Sequence, residues 1–159
     1  MIQHVVNAYE SKDDTIEFEA IRYDSFLRFD CGVDAFLPNP LGVLWHYTLD
    51  LSRGSVREGP LDDQAIELPR IDERRTGHPH SYLYTVQQPS ENEMRGIAKY
   101  DRLRDTHEVH TIVPGDQNSE PIFVPRNDDS EEDDGWILVC VYRKASDTTD
   151  VLLLDARRP

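Results

Sequence analysis

The chain has 159 residues and a formal net charge of −14, from 31 Asp and Glu against 17 Lys and Arg, with 38% hydrophobic residues. That charge excludes phosphate-backbone binding, which needs clustered Lys and Arg, so no nucleic-acid partner is expected. It also excludes a polybasic membrane anchor.

No segment approaches 18 consecutive apolar residues, so no spanning helix is expected. Met1-Ile2-Gln3-His4 lacks a basic region followed by an apolar stretch, so no signal peptide is expected either. Cys31 and Cys140 are far apart and outside any CxxC spacing. They read as reduced core residues of a cytosolic protein, and the expected location is cytoplasmic.

In chain order, His4-Val5-Val6-Asn7-Ala8-Tyr9-Glu10 opens an apolar strand. Residues 15–23 alternate polar and apolar for most of their length and read as a half-buried strand. The loop Pro38-Asn39-Pro40 precedes a strand over 43–49. Leu51-Ser52-Arg53-Gly54 is a strand-joining turn. A strand over 55–58 ends in the loop Gly59-Pro60. Strands over 81–87 and 97–101 flank a polar loop at 88–95, and a strand over 107–113 leads to Pro114-Gly115. The acidic run 127–135 reads as a solvated loop, because it does not fit the spacing of an EF-hand calcium loop. Residues 136–143 are nearly all apolar, as expected for an inner strand buried on both faces. The chain stops just after the strand Val151-Leu152-Leu153-Leu154-Asp155, and a fourth strand of that last unit is expected to be missing. Helix signals are nearly absent.

Three of these strands end in the same marker. Leu44–Asp50, Ile97–Asp101 and Val151–Asp155 each run from apolar residues to an Asp and then a turn, with spacings of 51 and 54. A second marker keeps step. Glu67 opens Glu67-Leu68-Pro69-Arg70, and Glu120 opens Glu120-Pro121-Ile122-Phe123-Val124-Pro125-Arg126, 53 residues later. A β-rich unit of roughly 50 residues is what a propeller blade needs. The fold expected is all-β, with about three consecutive blades filling one partial domain over 1–159. Three blades do not close a ring of about 4 to 8. The chain is then either part of a larger propeller or an open stack of sheets with exposed edges.

Of the six His, His78-Pro79-His80 sits in a loop and favours a turn over a chelate. His107-Glu108-Val109-His110 lacks the HExxH spacing and a helix to carry it. His46 lies mid-strand and reads as packed or half-exposed. His4 differs, because it opens a strand 63 residues before Glu67. His4, Glu67 and Glu120 then occupy strand-opening positions of three successive blades, positions that can converge on the axis of a propeller. Alternation puts Glu120 on the face of Ile122 and Val124, expected to be buried. A buried carboxylate needs a partner, and a metal-bound His offers its free ring N–H. The alternative is that both Glu residues pair with Arg70 and Arg126 at the rim.

These motifs, with Leu44-Trp45-His46-Tyr47-Thr48-Leu49-Asp50-Leu51, Lys99-Tyr100-Asp101 and Glu132-Asp133-Asp134-Gly135-Trp136, fall in one order across about 4–157. The chain resembles the C-terminal half of the carotenoid cleavage oxygenases, a family with apocarotenoid and lignostilbene dioxygenases and the retinoid isomerohydrolase of the eye. The resemblance implies a seven-bladed propeller that holds Fe(II) on its axis with four His. It implies His4 as the third iron ligand in chain order, and Glu67 and Glu120 as carboxylates that hydrogen-bond to ligands. The implied reaction uses O₂ to cleave a conjugated C=C bond of a carotenoid, apocarotenoid or stilbene, giving two carbonyl products. Membrane docking through an apolar patch is a further implication of the family, which no segment here marks.

The departures are equally specific. The family's first two iron ligands would lie before Met1 and its last after Pro159, so this chain carries one of four. The isolated chain is expected to hold no stable iron and to be inactive, as a truncated or split gene or a partial gene model would produce. The competing reading is a non-catalytic β-rich remnant or interaction module, whose open edges need the missing blades or self-association.

Overall fold

The computed structural model describes residues 1–12, 14–26 and 40–159. Cys31 and the first two residues of the Pro38-Asn39-Pro40 loop lie outside the described residues.

Among the described residues the chain is all-β, and its one helical segment is a single 3-10 turn, Glu73–Arg75. The strands are β1 (Ile2–Glu10), β2 (Thr15–Arg22), β3 (Val43–Asp50), β4 (Ser55–Arg70), β5 (Tyr82–Gln87) and β6 (Ile97–Asp101). They continue with β7 (Thr106–His110), β8 (Gln117–Asn118), β9 (Ile122–Pro125), β10 (Gly135–Arg143) and β11 (Thr148–Asp155). All pairings are antiparallel.

The strands form three sheets. β1–β2–β3 and the first part of β4 make the first sheet, with Ser55 opposite Asp50 and Pro60 opposite Trp45. The last part of β4, with β5, β6 and β7, makes the second. β10 carries the third, with β11 on one side and β8 and β9 on the other. The expected strand 55–58 with a loop at Gly59-Pro60 is therefore corrected. Pairing continues through Pro60, and a register shift before Ala65 absorbs extra residues. That irregularity bends β4 so that one strand ends the first sheet and begins the second.

The repeated Asp residues close β3, β6 and β11. Asp50 Oδ1 accepts from the Ser52 hydroxyl at 2.7 Å and from Arg53 N–H at 2.9 Å. Asp101 Oδ1 accepts from Leu103 and Arg104 N–H, both at 3.0 Å, and Asp155 Oδ1 from Arg157 N–H at 2.9 Å. A short carboxylate that caps the following turn is what the position demands, so the marker recurs for a backbone reason.

Two cores fill the gaps between sheets. Ile21 and Leu44 of the first sheet meet Ile66, Leu83, Ala98 and Tyr100 of the second. Tyr84 and Ile97 on the other side of the second sheet meet Phe123, Ile137, Val139 and Val141 of the third. The central strands β5 and β6 of the middle sheet are thus buried on both faces, with every residue of β6 buried. β10 is not, contrary to the expectation from its composition. Ile137, Val139 and Val141 are buried, while Tyr142 and Cys140 on the opposite face are exposed. β10 is central within its sheet, but its sheet ends the stack, and position decides burial where composition does not. Cys140 is accordingly a free surface thiol and not a core residue.

The acidic run is only partly solvated. Glu132 is buried and accepts from Ser81 N–H at 2.5 Å and Tyr82 N–H at 3.0 Å. Asp133 pairs with the buried Lys99 at 2.8 Å. Arg74, held by Asp72, donates to the Asp128 carbonyl at 2.8 Å and the Ser130 carbonyl at 3.2 Å. The run therefore ties the third sheet to the second.

Candidate metal centre

The first strand of the first sheet carries His4, and the bent half of β4 carries Glu67. Their side chains meet, with Nδ1 of His4 2.6 Å from Oε2 of Glu67. Glu67 is only 2% exposed. Its Oε2 also accepts from Leu68 N–H at 2.7 Å, and its Oε1 accepts from the Tyr23 hydroxyl. A carboxylate is acceptor-only, so His4 donates from Nδ1, and the neutral ring then carries its lone pair on Nε2. The His4 side chain is 39% exposed, so that nitrogen has room to bind.

Backbone strain helps to place the carboxylate. Leu68 has φ of +51°, left-handed and unusual for a branched side chain. The ladder to β5 shifts register between Glu67 and Arg70. This kink turns the Leu68 N–H back onto the side chain of Glu67.

Glu120 has a different partner. It precedes β9, its side chain is 43% exposed, and Oε1 sits 3.4 Å from Nη1 of Arg70, which also pairs with Glu73. Ile122 and Val124 are exposed too, so the expected buried face is corrected. The buried residue of β9 is Phe123, stacked on Tyr84 at 5.7 Å. The rim alternative thus describes Glu120, joined to Arg70, and not Glu67. Arg126 pairs with Asp134 at 2.8 Å. Among the described residues no three His, Cys, Asp or Glu converge in a way that could hold a metal. Any metal at His4 would take one ligand from these residues.

A second polar cluster, between the first and second sheets, had no motif to announce it. Glu19 is buried, with Arg102 Nη2 at 3.1 Å, His80 Nε2 at 3.4 Å and His46 Nδ1 at 3.7 Å. Nε2 of His46 bonds Glu17 at 2.8 Å. Burial alone would raise the Glu19 carboxyl, but His46, His80 and Arg102 together hold it down at about 2. His46 is pushed up, chiefly by Glu19. Asn7 ties the loop before His80 to β1. Its Oδ1 accepts from Ala8 N–H and Gly77 N–H, both at 3.0 Å, and its Nδ2 donates to the His78 carbonyl at 2.8 Å and the Arg75 carbonyl at 3.1 Å. The cluster is a clamp, in which Arg102 and two imidazoles surround one buried carboxylate. The loop reading of His78-Pro79-His80 holds for the backbone but missed this buried contact.

Antiparallel sheets stacked in chain order, with a His and a buried Glu on successive first strands, are the arrangement expected of consecutive propeller blades. The chain belongs to the retinal pigment epithelial membrane protein family, whose model matches residues 1–159. It is 28% identical over 97% of its length to the apocarotenoid-15,15'-oxygenase of Synechocystis, covering 33% of that protein. It is 30% identical over 97% of its length to resveratrol cleavage oxygenase 1 of Botryotinia fuckeliana, covering 30% of that protein. The cobalt-substituted apocarotenoid oxygenase of Synechocystis superposes with a TM-score of 0.88 at 27% identity, over 99% of this chain and 34% of that one. The chain spans about a third of the length of these relatives.

Proposed function

We propose that this chain supplies one ligand side of a non-haem Fe(II) centre in an enzyme that cleaves a conjugated C=C bond of a carotenoid, apocarotenoid or stilbene with O₂. The observation that carries the reading is the His4–Glu67 pair at 2.6 Å. A neutral imidazole with Nδ1 pinned by a buried carboxylate and Nε2 open suits iron. Relatives named for apocarotenoid, carotenoid and resveratrol cleavage support this substrate class.

His4 binds through Nε2. Glu67 orients the ring, holds the proton on Nδ1 and raises ligand basicity. Glu120 serves a ligand outside this chain, and would exchange Arg70 for it. The metal supplies O₂ activation when bound. The reaction adds both atoms of O₂ across one double bond, which becomes two carbonyl groups. With a single His at the centre, the isolated chain is inactive until the remaining ligands are supplied.

The test is a graft in which residues 1–159 replace the matched third of the Synechocystis apocarotenoid oxygenase. Incubation with an apocarotenal, and separately with resveratrol, should give two carbonyl products per substrate consumed, by mass spectrometry. A folded, iron-loaded graft that cleaves neither would refute the assignment.

A further inference from the structure

Glu67 makes more contacts than orientation of His4 requires, and the additional one comes from a residue with no assigned role. Tyr23 follows β2 and is buried. Its hydroxyl donates to Oε1 of Glu67. The two carboxylate oxygens are thus divided, Oε1 to the phenol and Oε2 to the Leu68 N–H and the His4 ring. A carboxylate held at both oxygens cannot swing about its last torsion. A carboxylate held at one can.

Three features keep the phenol in place. Tyr23 N–H donates to the Met1 carbonyl at 2.7 Å, three residues before His4, so its backbone is tied to the strand that bears the ligand. A Cβ at Gly42 would lie 2.5 Å from Ile21 Cγ2, 2.9 Å from the Ile66 carbonyl and 3.0 Å from Tyr23 Cζ. Position 42 therefore has no room for a side chain beside the ring. Burial, and after it the bond to Glu67, push the phenol above its ordinary value, so it remains a donor.

We infer that Tyr23 is a positioning residue for His4, acting through Glu67: its hydroxyl locks the carboxylate whose other oxygen holds the His4 proton on Nδ1. The proposal rests on the reading of His4 as a metal ligand, but its test needs no metal. The hydroxyl bond and the strained Leu68 serve one end, since each fixes the carboxylate from a different side.

The experiment is histidine-ring nitrogen–proton correlation spectroscopy on the 159-residue chain, with proton exchange measured in the same samples. In the wild type, His4 should be the Nδ1–H tautomer, and both that proton and the Tyr23 hydroxyl proton should exchange slowly. In Tyr23→Phe, which removes only the donor, exchange at Nδ1 should rise roughly tenfold, the factor one charge-assisted hydrogen bond supplies. The Nε2–H tautomer should appear beside it. Para-aminophenylalanine at position 23 keeps a donor on the same ring and should restore slow exchange. A folded Tyr23→Phe chain with unchanged tautomer and exchange would overturn the proposal. If that variant does not fold, the wild type still decides, because an Nε2–H tautomer or a fast-exchanging Tyr23 hydroxyl there would also overturn it. Loss of the iron assignment in the graft would leave these signals intact, so the two failures are distinguishable.

Discussion

At the scale of single residues, the chain uses carboxylates in two ways that look alike in sequence. Asp50, Asp101 and Asp155 cap turns, while Glu67 holds a ring. Asp101→Ala should remove the cap on the β6–β7 turn and its bond to Arg104. The cost should be about 1 kcal/mol, typical of one lost hydrogen-bonded group, read from the urea midpoint. The Asp101 carboxyl is held below its ordinary value, by Arg104 against the opposing effect of burial. Its contribution should therefore be present above about pH 4 and fade as the pH falls through the folded-state value. An equal loss in Asp101→Ala at low and neutral pH would contradict this. Glu67 was legible because a period of about 50 residues singled it out. Tyr23 was not, because a lone Tyr after an alternating strand says nothing about where its hydroxyl points. Glu120 shows the limit of alternation, which ranks positions by face but does not say which face has a neighbour.

At the scale of elements, β2 reverses the usual reading of an alternating strand. Glu19 points into the stack and is buried, while Phe18 on the other face stacks on Tyr47 at 4.4 Å and is half-buried. The polar face is accepted inside because His46, His80 and Arg102 meet it from β3, the loop before β5 and the turn after β6. That complement comes from three distant segments, which no local pattern could join. The clamp has a pH signature of two opposite signs. Glu19 has a folded value of about 2, below its ordinary 4.5, so its contribution is present above about pH 4.5 and lost as pH falls toward 2. His46 is raised above 6.5, so its contribution is present below that and lost as pH rises through the folded value. Stability from the clamp should peak between about pH 4.5 and 6.5. In urea titrations against pH, His46→Gln should flatten the alkaline arm and Glu19→Gln the acid arm. Matching wild-type and His46→Gln profiles above pH 6.5 would sink this account.

At the scale of the whole molecule, the outer face of the third sheet is apolar and, among the described residues, uncovered. Leu138 and Cys140 of β10 lie opposite Leu153 and Val151 of β11, and Ile122 of β9 lies opposite Leu138. Val151 is 63% exposed and Leu153 60%. A surface of this kind drives association. In sedimentation velocity the chain should self-associate, and the Val151→Lys/Leu153→Lys double variant should shift it toward monomer. A sharp wild-type monomer at all concentrations would contradict the reading. Cys140, on the same face, should react with a thiol reagent in the native monomer and be protected in the associated form. The three-sheet architecture was legible from the repeat, since the same turn chemistry recurs at the ends of β3, β6 and β11. What the repeat could not say was which sheet is enclosed. β10, the most apolar strand, faces outward on one side, whereas β5 and β6 are enclosed by being in the middle. The central claim is that His4 binds the metal with Glu67 behind it, and iron content of the purified graft tests it most directly. The account predicts near one iron per chain in the parent graft and none in His4→Ala. Glu67→Gln should bind iron roughly 10- to 100-fold more weakly, and His78→Ala and His107→Ala should match the parent. Iron retained in His4→Ala, or lost in His78→Ala, would contradict it.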